Sequence, residues 1–273
     1  MQDLPDKKLK LLPVSLIIAL VFGVGVFAFR KLFTREIVIK EDLSEKKYYT
    51  SLLRSENLGS EWEPGEMLEV SLEDQPEISA ESGLVVDINS GKIVFEKNSK
   101  EKMKIASLVK IMTAVVALEH KNLDERIVVS KKSAGVGENT MGISEGEVYT
   151  LEELLYGLML NSGNDSAYAI SEGVAGNAED FVDWMNIKAK ELGLNDTEFF
   201  CPSGLSDETY STAVDLVKLS RYALQNEDFR RIVGTVDFEL PYSERHKYLY
   251  LENQTNLLTT YPGVGGIKTG YTE

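Results

Sequence analysis

The chain has 273 residues, 43% hydrophobic and 27% charged, the balance of a globular protein with room for one large domain or two modest ones. Its formal net charge is −15, and residues 36–82 alone carry thirteen Asp or Glu against four Lys or Arg; such acidity excludes nucleic acid as a partner, because phosphate binding needs a basic face. One cysteine, Cys201, excludes an internal disulfide, and two histidines, His120 and His246, give no basis for a zinc cluster.

Residues 1–10 are short and polar. Residues 11–29, LLPVSLIIALVFGVGVFAF, carry no charge over 19 positions, long enough to span a bilayer core, and read as an uncleaved transmembrane anchor. Three lysines precede it (Lys7, Lys8, Lys10) and three basic residues follow (Arg30, Lys31, Arg35), so flanking charge does not set its orientation. Residues 30–75 read as an acidic spacer with little local structure, interrupted by the turn Glu63-Pro64-Gly65. Pro76 marks a change. GLVVDI and KIVFE, joined through Asn89-Ser90-Gly91, predict a β-hairpin. The apolar run IASLVKIMTAVVALEH predicts a buried helix opening at Ser107, with His120 at its C-terminal end. Helical spacing recurs in LEELLYGLML, AEDFVDWMNIKAKELG and STAVDLVKLSRYAL, and Asn161-Ser162-Gly163-Asn164-Asp165 interrupts the series. Strands are expected at 236–241 and 248–252, with another at 266–271 in the glycine-rich end YPGVGGIKTGYTE. His246, in YSERHKY, reads as solvated. Strands at both ends with helices between predict an α+β domain over 76–273, its antiparallel sheet assembled from distant segments and flanked by helices.

Lys110 sits inside the apolar helix, three residues after Ser107 and therefore on the same face. A serine needs a base to become a nucleophile, and a lysine serves when burial or a second cation depresses its pKa. S-x-x-K alone is weak. It also occurs at Ser44/Lys47 and Ser99/Lys102, both in charged stretches read as exposed, and a capping serine with a snorkelling lysine satisfies it equally. Ser162-Gly163-Asn164 supplies S-x-N, which turn chemistry also produces, as Ser55-Glu56-Asn57 shows. Lys268-Thr269-Gly270 supplies K-T-G once. The three in this order are far more specific than any member, and mark serine β-lactamases and penicillin-binding proteins.

PEISAESGLVVDINSGKIVFEKN, LLYGLMLNSGNDSA, FVDWMNIKAKELGLNDTEFF, CPSGL and NQTNLL then YPGVGGIKTGYT extend the likeness. Residues 76–273 resemble the penicillin-binding serine D-alanyl-D-alanine carboxypeptidases, peptidase family S11. The sequence departs from that family's habits at Ile105, Val109 and Gly265, none of them a catalytic group. The resemblance implies a β-lactamase/transpeptidase-like fold with an all-helical subdomain and no cofactor. It implies Ser107 as nucleophile, Lys110 as general base and Ser162 as proton relay. Asn164 would bind the substrate amide and support Lys110, while Lys268 and Thr269 would hold the terminal carboxylate. Gly270 would let a peptide lie along the strand, and the Ser107 and Tyr271 amides would form the oxyanion hole. The substrate would be a peptidoglycan stem peptide, β-lactams would be covalent inhibitors, and the domain would lie outside the cytoplasmic membrane. In that family two strands and a helix follow the KTG strand, so the resemblance also implies a C-terminally truncated domain that acylates slowly.

Two other readings are open. Glu191-Leu192-Gly193-Leu194-Asn195 matches the E-x-x-L-N string of class A β-lactamases, but lies in a segment that matches the carboxypeptidases as a whole. A membrane-anchored, non-catalytic peptidoglycan-binding protein is the other; intact Ser107, Lys110 and Ser162 speak against it.

Overall fold

The computed structural model describes residues 62–67 and 76–271. The anchor expected at 11–29 and most of the spacer lie outside them, and no helix among the described residues is long and apolar enough to cross a membrane.

The chain runs β1 (Gly83–Val86), β2 (Ile93–Lys97), β3 (Met103–Lys104), a 3-10 turn (Ala106–Leu108) and α1 (Val109–His120). Then come β4 (Arg126–Val128), α2 (Lys131–Ala134), β5 (Val148–Thr150), α3 (Leu151–Met159), α4 (Asn164–Ala175) and α5 (Ala178–Glu191). The rest is β6 (Tyr210–Ser211), α6 (Ala213–Ala223), α7 (Glu227–Val233), β7 (Asp237–Leu240), β8 (Leu249–Glu252) and α8 (Leu257–Thr260).

The hydrophobic run becomes the centre of the fold. Every residue of α1 from Val109 to Ala117 is buried, as expected of a helix that is apolar all round. It packs against α3, α4, α5 and α6, which together supply Leu154, Leu158, Ala167, Ile170, Phe181, Met185 and Leu219 to the core. The surrounding helices start where the sequence caps them. Thr150 accepts from Glu153 N while the Glu153 side chain reaches back, a complete capping box for α3; Asn177, Thr212 and Asn226 cap α5, α6 and α7. Each such cap contributes about 1 kcal/mol. The helix α4 is different: Gly163 offers no side-chain cap, and its first amide, that of Asn164, is taken by a carbonyl of another loop.

The strands pair as four two-stranded antiparallel ribbons, β1–β2, β3–β6, β4–β5 and β7–β8. The hairpin forms as expected, Gly83 opposite Lys97 and Leu84 opposite Glu96, and Asp87 closes its turn by accepting from the amide and hydroxyl of Ser90, both at 2.7 Å. The single sheet expected from distant segments is replaced, among the described residues, by these ribbons. Only β3–β6 joins remote parts of the chain, Met103 opposite Ser211. Part of the expected spacer lies against the hairpin and α6: Glu66 O accepts from Ile93 N at 3.1 Å, Met67 bridges Ile93, Glu63 pairs with Lys218 of α6 at 2.5 Å, and Arg221 of α6 lies 4.4 Å over the Trp62 ring.

Three expectations are corrected. Residues 266–271 form no strand; the segment packs on the Ser107 turn rather than on a strand edge. His246 is 8% exposed. Its ring stacks on Tyr149 with centroids 4.7 Å apart, and the Val148 N–H to Arg245 O bond, 3.1 Å, pulls its loop onto β5. Ser99 is buried and donates to Glu96 at 2.5 Å, whereas Lys102 is an exposed partner of Asp196 at 3.2 Å; the lysine of this S-x-x-K pair is bonded to Asp196 and not to its serine.

Candidate active site

Ser107 sits in the 3-10 turn that leads into α1, and Lys110 follows one turn on. The lysine amine is fully buried, 0% exposed. It lies 3.0 Å from Ser107 Oγ, 2.8 Å from Asn164 Oδ1 and 2.5 Å from the Ser203 carbonyl. The last two partners can only accept. A neutral amine has two N–H donors and one lone pair. With both donors committed to Asn164 and Ser203, the lone pair is left for the Ser107 hydroxyl. Burial first, and the Lys268 charge second, lower the Lys110 pKa to about 7. Both causes expected from the sequence are present, burial being the larger. Lys268 is itself lowered to about 8 by burial, and its ammonium donates to the Thr269 carbonyl at 2.9 Å.

The S-x-N turn closes onto this pair. Ser162 has φ 59, a region costly for a side-chain-bearing residue, and its hydroxyl is buried without a hydrogen-bond partner. Among the described residues this makes it an exception to the rule that buried hydroxyls find partners. Asn164 donates through Nδ2 to Gly137 O at 3.1 Å, and its amide donates to Asn139 O at 2.8 Å. The next residue, Asp165, is 1% exposed and takes amides of the same loop: Met141 and Gly142 at 2.8 Å, Ile143 at 3.1 Å. The segment 137–143 is thus strapped across the start of α4, its Asn139 carbonyl accepting the first amide of the helix.

The K-T-G segment meets the nucleophile turn at Gly270. A Cβ there would lie 3.3 Å from both the Ile105 carbonyl oxygen and Leu108 Cγ. The backbone of 268–270 therefore runs against 105–108, while Thr269 and Tyr271 are exposed. Of the eight site residues expected from sequence, Ser107, Lys110 and Asn164 are joined by hydrogen bonds, Gly270 meets the turn around Ser107 and the Lys268 charge acts on Lys110; Ser162 is buried two residues before Asn164, Thr269 is exposed and Tyr271 is 81% exposed. Glu191, of the E-x-x-L-N string, closes α5 and pairs with Lys188 at 2.7 Å, its side chain 56% exposed.

Sequence reading missed the floor of the site. Ser203 and Gly204, in CPSGL, hold the lysine and the turn through backbone atoms. Gly204 has φ +93, and a Cβ on it would overlap the Ala106 carbonyl, 2.5 Å from its carbon and 3.0 Å from Ser107 N. Thr113, one turn beyond Lys110, donates to Pro202 O at 2.6 Å. Cys201, a buried residue, accepts from the Gly204 and Ser206 amides at 3.2 and 3.3 Å. Carbonyls leave no trace in a sequence; only the Pro-Ser-Gly turn, with a glycine able to take positive φ, signals this loop.

The sequence model of the D-alanyl-D-alanine carboxypeptidase family, peptidase S11, matches residues 69–273. The chain belongs to this family. Its relatives include the D-alanyl-D-alanine carboxypeptidase DacF of Bacillus subtilis, 36% identical over 199 residues, 71% of this chain and 51% of that protein; the chain thus spans about half of that relative's length. Among solved structures, the D-alanyl-D-alanine carboxypeptidase of Mycobacterium tuberculosis superposes with a TM-score of 0.68 at 34% identity, covering 72% of this chain and 75% of that one. The Streptomyces K15 DD-transpeptidase does so with a TM-score of 0.69 at 30% identity, over 72% and 82%. The β-lactamase/transpeptidase-like α+β fold expected from the sequence is the fold of these S11 neighbours.

Proposed function

We propose that this S11 chain is a serine D-Ala-D-Ala carboxypeptidase that removes the terminal D-alanine of peptidoglycan stem peptides and is acylated by β-lactams. The observation that carries it is the buried Lys110 amine, 3.0 Å from Ser107 Oγ with its two other partners acceptors only. In this reading Lys110 takes the Ser107 proton as Oγ attacks the penultimate D-alanine carbonyl. Electrostatic donors at the Ser107 and Tyr271 amides stabilise the oxyanion. The Ser162 hydroxyl passes its proton to the departing amine and is reprotonated by the Lys110 ammonium as the D-alanine C–N bond breaks. Lys268 and Thr269 hold the terminal carboxylate, a charge-assisted contact. Asn164 fixes Lys110 and has a second Nδ2 hydrogen for the substrate amide. Water then cleaves the Ser107 ester.

The test is D-alanine release from a stem pentapeptide, with Ser107→Ala alongside. Release by the natural chain and none by the variant is expected. Lys110 keeps Asn164 and Ser203 in that variant, so its melting temperature should stay within a few degrees. Equal release by both would overturn the reading.

We also propose that residues 11–29 anchor the domain outside the cytoplasmic membrane. The support is the charge-free length of the run and the location of peptidoglycan. A phosphatase reporter fused after Glu63 should be active; a reporter active only when it folds in the cytoplasm would contradict this.

A further inference from the structure

Building on the carboxypeptidase reading, we infer that Glu138 is a specificity-determining residue, favouring stem peptides whose residue before the two D-alanines carries a free ammonium group. Glu138 stands between two residues whose carbonyls both hold Asn164: Gly137 O takes Nδ2 at 3.1 Å and Asn139 O takes the backbone amide at 2.8 Å. Its position is therefore fixed at the rim of the site by the same asparagine that fixes Lys110. The backbone there has φ 63, uncommon for a residue with a side chain, and Asp165 clamps the following residues through Met141, Gly142 and Ile143. The loop has a defined shape, and Glu138 is its exposed acid.

Among the described residues the Glu138 carboxylate makes no ion pair or hydrogen bond. It lies near enough to act electrostatically on Lys110. Around Ser107 the site therefore offers two unlike charges: the Lys268 ammonium, suited to the substrate's terminal carboxylate, and the Glu138 carboxylate beside Asn164. A peptide whose carboxylate sits on Lys268 and whose chain passes Asn164 brings its next side chains toward residues 137–140. A cation there meets Glu138; a neutral, acetylated amine does not. The neighbouring Asn139 and Thr140 are exposed and uncharged, so the selectivity rests on one carboxylate.

The experiment compares Nα-acetyl-L-Lys-D-Ala-D-Ala with its Nα,Nε-diacetyl counterpart at pH 7. The natural chain should favour the free amine about three- to fivefold in kcat/KM, the size of an exposed ion pair, and the preference should shrink in high salt. In Glu138→Gln the ratio should fall to about one, and Glu138→Asp should restore part of it. Glu138→Gly eases the positive φ while removing the charge, so a lost ratio there too assigns the effect to charge rather than loop shape. An unchanged ratio in Glu138→Gln, or no preference in the natural chain, overturns the inference. Release of D-alanine from neither peptide overturns the carboxypeptidase reading and this inference together.

Discussion

In Lys110→Arg, acylation by labelled penicillin should fall roughly a thousandfold, the middle of the range for losing a positioned general base. A guanidinium keeps its proton at any working pH, so it has no lone pair to receive the Ser107 proton. It also cannot place its donors on Asn164 Oδ1 and the Ser203 carbonyl as the 2.8 and 2.5 Å contacts of the amine do. The natural chain should show the complementary pH dependence. The working form of Lys110 is neutral, so acylation rises as pH passes about 7. The working form of Lys268 is charged, so it falls as pH passes about 8. Removing that second cation in Lys268→Ala weakens acylation and moves the rising limb to higher pH, because a like charge no longer opposes protonation of Lys110. The stability linkage has a definite sign. The folded pKa lies below the unfolded value of 10.5, so from about pH 7 to about 10 the unfolded chain binds the extra proton and the folded state gains stability as pH rises. Acylation of Lys110→Arg within tenfold of the natural rate, or a rate that falls as pH rises through 7, would rule out this role.

Gly204→Ala should damage stability and activity together. The methyl group has nowhere to go: it would overlap the Ala106 carbonyl and stand 3.0 Å from Ser107 N. The obstacle is backbone, not the end of a flexible side chain. Strain at φ +93 adds about 1–3 kcal/mol, and overpacking about as much again, so a loss of about 3–5 kcal/mol in urea unfolding is expected. Whatever shifts to admit the methyl carries Ser107 with it, and a displacement of about 1 Å at a reacting group costs on the order of a hundredfold in rate. Acylation and unfolding free energy close to the natural values in Gly204→Ala would show that the close approach of this loop is not needed.

The contrast between these two residues explains what the sequence could reveal. Lys110 was legible because it breaks a pattern: a charge inside a run that must be buried needs a reason, and Ser107 on the same face supplies one. The helices were legible from their apolar spacing, which is written in side chains; the caps at Thr150, Asn177 and Thr212 emerged with the structure. Gly204, Ser203 and Gly137 act through backbone atoms, which every residue carries, so their letters announced at most a turn at Pro202-Ser203-Gly204 and not the contacts it makes. His246 was misread because its neighbours Glu244, Arg245 and Lys247 are polar, while its burial depends on Tyr149, about a hundred residues away. A short strand was expected at 266–271 in the glycine-rich end; the approach of Gly270 to Ile105 and Leu108 is tertiary and has no periodicity to reveal it.

The most direct measurement is peptide mapping by mass spectrometry after benzylpenicillin treatment of the full chain. The account predicts one covalent adduct, on the peptide containing Ser107 and at that residue, formed fastest between about pH 7 and 8. An adduct at Ser162, Ser203 or Ser99, or no adduct while the protein remains folded, would contradict it.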